Sequence, residues 1–145
     1  MDDKFETIPS GIKDPNYRYK MVKMQLKKES RLNGAKINIF NIDDVAEDLR
    51  VPATAIMKFL SSELGANLEG HSVIKGKIET FTYEIMLQKL DKFIRMYVIC
   101  PNCKYPELIM SPEGKKGLKS ICKSCGNTNT HDAQNKAGKI ILQQL

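Results

Sequence analysis

The chain has 145 residues, 41% of them hydrophobic, with 23 Lys and Arg against 17 Asp and Glu. That length suits one ordinary domain, or a domain with a small satellite, and can bury a core without disulfides; with no Trp and 7% aromatics the core must be mostly Ile, Leu, Val and Met. No stretch is long and apolar enough to span a bilayer, and the start Met1-Asp2-Asp3-Lys4 lacks the basic-then-apolar order of a secretory leader.

Residues 1–19 show no apolar periodicity, and Pro9-Ser10-Gly11 and Asp14-Pro15-Asn16 read as turns, so this segment is expected as a flexible or extended arm. It ends on Tyr17-Arg18-Tyr19-Lys20, where aromatic and basic residues alternate; an edge strand with two half-buried tyrosines is the plainer reading. Residues 21–28 are expected as a strand, residues 30–34 as a basic loop carrying Arg31 and the Asn33-Gly34 turn signal, and residues 37–42 as a second strand. Alternation places Ile37 and Ile39, with Asn41 as a candidate third, on one face.

Three helices follow. Ile42, Val45, Ala46 and Leu49 recur at helical spacing behind the acids Asp43 and Asp44, which favour a helix N-terminus. The second begins near Pro52, carries Ile56, Phe59, Leu60 and Leu64 on one stripe, and stops at Gly65. The third, near residues 82–95, gathers Met86, Leu90, Phe93 and Ile94. A short hairpin is expected over residues 67–76, and a strand over residues 96–99 leads into the first cysteine pair. Residues 140–142 fit either a late strand or a helical turn. The expected architecture is α+β: a small antiparallel sheet packed with helices (residues 20–97) between the arm and a four-cysteine zinc ribbon with a C-terminal segment (98–145). The two parts are expected to have separate apolar sets.

The ribbon rests on Cys100-Pro-Asn-Cys103 and Cys122-Lys-Ser-Cys125, two CxxC pairs separated by 18 residues. Each turn offers two thiolates to one side of a metal, and two facing turns complete a tetrahedron at this spacing. Four sulfur ligands leave no position for water or substrate, so one structural Zn²⁺ is expected rather than a catalytic one. In a reducing compartment disulfides are not expected, and doubling of the motif disfavours a redox CxxC. His71 and His131 lie outside the spacing and read as ordinary surface histidines.

Charge is concentrated. Residues 13–36 hold eight basic residues (Lys13, Arg18, Lys20, Lys23, Lys27, Lys28, Arg31, Lys36) against Asp14 and Glu29, which accounts for the whole +6 excess. Such a segment suits either a phosphate-rich partner or a solvated tail. There is no GxxxxGKS loop, no Ser/His/Asp set and no His-carboxylate cluster, so an autonomous enzyme is not indicated.

Six short strings, in order, carry a resemblance. Asp14-Pro-Asn-Tyr-Arg-Tyr-Lys-Met21, Asn33-Gly34-Ala-Lys36, Asn41-Ile-Asp-Asp-Val-Ala46 with Arg50-Val-Pro52, Lys58-Phe59 with Glu63-Leu-Gly-Ala66, Phe93 through Cys103, and Cys122 through Gly126 resemble the N-terminal domain of eukaryotic translation initiation factor five. The same fold occurs in the beta subunit of initiation factor two, which Val73-Ile-Lys-Gly-Lys77 matches more closely. The resemblance implies a cytoplasmic, monomeric factor that acts in start-codon selection. It would bind the small-subunit preinitiation complex and promote GTP hydrolysis by the gamma subunit of initiation factor two, bound to GTP and initiator tRNA. By the same resemblance Arg18 is the activating residue, with Lys36 and Lys58 in support. Lys27, Arg31, Asn33 and Gly34 match the loop that approaches ribosomal RNA and the mRNA start codon.

Three departures stand out. Ser30 and Leu32 replace glycines of the loop, the hairpin segment Leu68-Glu-Gly-His-Ser72 carries no Lys or Arg, and the family's acidic linker and C-terminal helical domain have no counterpart in the chain. Two other readings fit: a non-activating decoding-site binder or mimic of the beta subunit, and an unrelated zinc-ribbon nucleic-acid-binding module.

Overall fold

A computed structural model describes residues 4–31 and 34–145, Arg31 by its backbone alone. The architecture is α+β, and the pattern of buried side chains explains it. Strand β1 (Phe5–Thr7) pairs antiparallel with β2 (Lys20–Val22), and Ile8 beyond it is buried. The segment expected as a flexible or extended arm is therefore extended and paired at residues 5–7, where β2 holds it. A four-stranded antiparallel sheet follows in the order β3-β4-β6-β5, from β3 (Leu26–Arg31), β4 (Gly34–Ile39), β5 (Asn67–Glu69) and β6 (Val73–Gly76). Register places Leu26 opposite Ile39 and Ile37 opposite Ile74, so one face is apolar. The other carries Lys27, Lys36, Asn38 and Lys75 together with Glu29 and Glu69.

The single strand expected over residues 21–28 is instead two. The side-chain amide of Asn41 is the cause: its Nδ2 donates to the Lys23 carbonyl at 2.7 Å and its Oδ1 accepts from the Gln25 N–H at 2.9 Å. Those bonds take backbone groups that a ladder would need, and both Met21 and Met24 turn inward. Asn41 thus leaves the Ile37–Ile39 face; β4 ends at Ile39 and Asn41 sits at the start of the first helix.

Helix α1 (Ile42–Leu49) buries Ile42, Val45, Ala46 and Leu49, the four residues its periodicity selects. Helix α2 (Ala53–Glu63) starts after Pro52 and stops before Gly65, whose φ of +61° is the left-handed turn glycine tolerates. Helix α3 (Tyr83–Tyr97) is capped by the Thr82 hydroxyl, which accepts from the Ile85 N–H. The strand expected over residues 96–99 is not formed. The apolar stripe Leu90, Phe93, Ile94 continues to buried Tyr97, and the N–H groups of Val98 and Ile99 both return to the Ile94 carbonyl, so helix geometry runs on. Strands β7 (Leu108–Glu113), β8 (Gly117–Cys122) and β9 (Thr128–His131) make a three-stranded antiparallel ribbon. The segment left open between strand and turn is helix α4 (Lys136–Gln143), capped by the Asn135 side chain.

Helix α4 packs back on α2, and one apolar cluster runs from Ile37 and Phe93 to Leu118, Ala133, Ala137 and Ile141. The apolar sets of the two parts are therefore joined rather than separate. The return of α4 requires a glycine: a Cβ at Gly138 would collide with the Asp132 carbonyl oxygen and the Ala133 backbone. Gly138→Ala should accordingly destabilise the protein by about 1–3 kcal/mol, despite alanine's better helix propensity. Urea unfolding of the two proteins checks this; an unchanged or higher midpoint would show that α4 can shift without cost.

Candidate functional site

The two CxxC turns have the same backbone design. In the first, the Lys104 N–H bonds the Cys100 carbonyl at 2.8 Å and the Cys100 N–H bonds the Tyr105 carbonyl at 3.0 Å. In the second, the Gly126 N–H bonds the Cys122 carbonyl at 2.8 Å and the Cys122 N–H bonds the Asn127 carbonyl at 2.9 Å. Both turns close with a left-handed residue, Gly126 at φ +76° and Lys104 at φ +69°. Facing each other, they bring the sulfurs of Cys100, Cys103, Cys122 and Cys125 within 4.8 Å of one another. The Cys100–Cys125 and Cys103–Cys122 separations are 3.7 and 3.5 Å. A tetrahedral ion with sulfur at ~2.3 Å requires sulfur–sulfur edges of about 3.8 Å, so the set fits a four-coordinate metal.

The thiols differ before a metal takes their protons. The Asn102 side-chain amide donates to the Cys125 sulfur at 3.5 Å, and this bond leads in lowering that thiol to about 6. Burial pushes Cys122 up to about 11. Metal binding must displace the Cys122 proton, so affinity falls as pH falls.

The ribbon is clamped to the end of α3. His131 is half-buried, with Nδ1 at 2.9 Å from the Met96 carbonyl and Nε2 at 2.6 Å from the hydroxyl of buried Ser120. A carbonyl can only accept, so Nδ1 carries the proton and Nε2 accepts from Ser120. His131 is thus a structural clamp and not an ordinary surface residue, because β9 delivers it to the helix end. His71 is exposed, as expected, and lies 2.8 Å from Asp43. The Tyr97 hydroxyl adds a second tie, donating to the Asp132 carbonyl at 2.7 Å.

Arg18 sits on the loop between β1 and β2. That loop is held at several points. The Ile8 N–H bonds the Tyr19 carbonyl at 3.0 Å, and the Tyr17 hydroxyl donates to the Ile8 carbonyl at 2.6 Å. Ser10 donates its N–H to buried Asp91 on α3 at 3.0 Å, and its hydroxyl donates to the other carboxylate oxygen. Tyr17 and Tyr19 are half-buried but stand outside a strand. Arg18 itself is exposed. Its guanidinium donates to the Tyr19 hydroxyl at 3.4 Å and lies 5.3 Å from the centre of that ring. This hydrogen bond and the tyrosine's charge push its pKa further up, with a smaller contribution from Glu107. Among the described residues no carboxylate lies within ion-pair distance of it.

The other sequence-selected residues are dispersed. Lys36 lies on the outer face of the sheet and pairs with Glu69 at 2.7 Å. Lys58 lies on α2, beside a cavity of about 160 Å³ that it shares with Lys92 and Lys136. Arg18, Lys36 and Lys58 each line a different cavity. Lys27 is exposed, pairs across strands with Asn38, and lines a shallow cavity with Phe40, which is 56% exposed. Gly34 has a structural reason to be glycine, since φ is +122° and a Cβ would stand 3.2 Å from the Gly76 carbonyl oxygen. Asn33 and the Arg31 side chain lie outside the described residues. Sequence reasoning passed over Asp91 and Tyr105. Asp91 had a visible signal, a carboxylate on the apolar stripe of α3. Tyr105 had only its nearness to Cys103.

A family profile, described as a domain found in initiation factors 2B and 5, matches residues 9–128. The chain belongs to this family. It is 34% identical over 135 residues to eukaryotic translation initiation factor 5 of Saccharomyces cerevisiae, covering 90% of this chain and 33% of that protein. It is 34% identical over 143 residues to the Mus musculus protein of the same name, covering 94% of this chain and 32% of that one. A probable eukaryotic translation initiation factor 5 of Schizosaccharomyces pombe is also 34% identical, over 139 residues. The chain spans about a third of the length of these curated relatives. The matches and the fold together identify an N-terminal domain like that of initiation factor five.

Two outcomes follow from the cysteine geometry. Cobalt(II) added to the metal-stripped protein should give the visible spectrum of tetrahedral sulfur ligation at one ion per chain, and Cys125→Ser should weaken its sulfur-to-cobalt charge-transfer band; a spectrum that this substitution leaves unchanged would rule the four-sulfur set out. Lys104→Gly should stabilise the loaded protein by about 0.5–1 kcal/mol, because glycine adopts the left-handed conformation without its Cβ penalty. Thermal denaturation would contradict this if the variant melted at or below wild type.

Proposed function

We propose that this domain acts in translation initiation by docking on the small-subunit preinitiation complex and presenting Arg18 to the GTP-bound gamma subunit of initiation factor two. The observation that carries the reading is an exposed guanidinium, with no carboxylate of the described residues within ion-pair distance, on a loop anchored through β1, β2 and Asp91. Membership of the family supplies the context. Attack of water on the γ-phosphorus breaks its bond to the bridging oxygen and leaves GDP. A guanidinium in trans neutralises the charge on the transferring phosphoryl group, an effect worth ~10³–10⁵ in rate for GTPases. A rigid platform favours this role because little ordering remains when the loop meets its partner.

RNA contact belongs to the outer sheet face. Lys27, Lys36 and Lys75 supply positive charge, Asn38 supplies an amide, and the exposed Phe40 ring offers a stacking surface. These groups suit phosphates, base edges and base faces of the ribosomal RNA and the mRNA start-codon region. Lys36 must exchange Glu69 for any such partner, which makes its contribution smaller than that of Arg18. The metal in this reading is one structural Zn²⁺, and its chemistry is to fix the ribbon and nothing more. The domain acts as a cytoplasmic monomer. Among the described residues, no helix is long and apolar enough to cross a membrane.

The test is GTP hydrolysis by the ternary complex on small subunits. Arg18→Ala should slow hydrolysis by about 10³-fold or more, and Arg18→Lys should restore little because it lacks the planar fork. Equal rates from wild type and Arg18→Ala would end the activating role. Co-purification of the domain with the gamma subunit without ribosomes would then favour mimicry of the beta subunit.

A further inference from the structure

Three tyrosine rings from distant parts of the chain meet beside Arg18. Tyr17 and Tyr19 come from the N-terminal loop, and Tyr105 comes from the turn that closes the first cysteine pair. Ring centres are 5.5 Å apart for Tyr17 and Tyr19, 6.2 Å for Tyr17 and Tyr105, and 5.7 Å for Tyr19 and Tyr105. The Tyr17 and Tyr105 planes are stacked within 24° of parallel, and Tyr17 meets Tyr19 edge-on at 65°. Such geometries are the favoured ones for aromatic pairs. The Arg18 guanidinium rests on Tyr19.

We infer that Tyr105 is a positioning residue for Arg18, acting through the Tyr19 ring and so linking the cysteine-held ribbon to the N-terminal loop. This rests on the reading of Arg18 as the activating group. The backbone of Tyr105 is fixed on both sides: its carbonyl accepts the Cys100 N–H at 3.0 Å, and Pro106 follows it. Tyr17 is fixed independently, by its hydroxyl bond to the Ile8 carbonyl at 2.6 Å. Tyr19 packs against the apolar core and has two ring neighbours, one local and one donated by the ribbon. Remove the ribbon's ring, and the Tyr19 ring gains rotamer freedom that its one long bond to Arg18 does not restrain. The guanidinium then spreads over more orientations while its exposure and charge stay the same. The Tyr105 hydroxyl makes no hydrogen bond among the described residues, so the ring face is what matters.

The experiment uses the metal-loaded chain with Tyr105→Ala and Tyr105→Phe beside Arg18→Ala. Tyr105 is 42% exposed, so its removal leaves the fold in place, checked by far-ultraviolet circular dichroism. If Tyr105→Ala loses its fold, Tyr105→Leu, which keeps bulk without a ring face, takes its place. The first readout is the chemical shift of the Arg18 guanidinium Nε–H, whose group lies against the Tyr19 ring with its carbon 5.3 Å from the ring centre. Tyr105→Ala should bring it toward the value of a free arginine, and Tyr105→Phe should leave it unchanged. The second is hydrolysis at saturating factor, which should fall about 10- to 100-fold in Tyr105→Ala, as for a misplaced catalytic group, and recover in Tyr105→Phe. The half-saturating concentration should stay nearly constant, because docking is untouched. A wild-type Arg18 shift in the Tyr105→Ala protein overturns the positioning role. A lost shift with undiminished hydrolysis, while Arg18→Ala is inactive, overturns its link to activation. Full hydrolysis by Arg18→Ala overturns the GTPase reading itself, and the shift then decides the positioning role alone.

Discussion

Cys100 and Cys103 leave the end of α3, Cys122 and Cys125 leave the end of β8, and their sulfurs converge within 4.8 Å. Four thiolates packed this closely would repel one another unless a cation sat among them, so the arrangement suits a shared ion. Once the ion is bound, two turns far apart in sequence are locked in one geometry. Each turn answers with the same pair of backbone bonds and a left-handed closing residue. A ribbon of three short strands has little apolar interior with which to do this alone.

What the clamp holds is then tied to the rest of the protein. His131 reaches from β9 to the last carbonyls of α3, Tyr97 reaches from α3 to the loop before α4, and α4 lies across α2. Tyr105 extends the same frame to the N-terminal loop through two ring contacts. The loop is also fastened to α3 by Asp91, a buried carboxylate with two donors from Ser10. The exposed guanidinium of Arg18, bonded to the Tyr19 hydroxyl, thus projects from a supported structure. Lys36, by contrast, already has a carboxylate partner at 2.7 Å. On the proposed reading the difference matters, because a paired cation must break one interaction before making another.

Local pattern made much of the fold legible. Helix α1 was readable residue by residue, and Pro52 and Gly65 bracketed α2, because amphipathic spacing and backbone-restricted residues act over a few positions. The four cysteines were readable because metal geometry restricts their spacing. The errors were of one kind. Residues 21–28 were not one strand because Asn41, distant in sequence, took their backbone groups. Residues 96–99 were not a strand because the apolar run there fits a helix or a strand equally well, and packing of Tyr97 decided it. His131 did not read as structural because its two partners, Ser120 and Met96, lie 11 and 35 positions away.

The amino-acid sequence by itself determined the α+β class, the apolar faces of the helices, the four-sulfur site and the concentration of charge before residue 37. These follow from composition and from interactions between near neighbours. Only the tertiary structure decided that the N-terminal loop is pinned to α3, that three tyrosines meet around Arg18, and that the ribbon and body share an apolar cluster. Those features depend on side chains brought together by chain reversal, and spacing along the chain carries no record of which distant partner will be there.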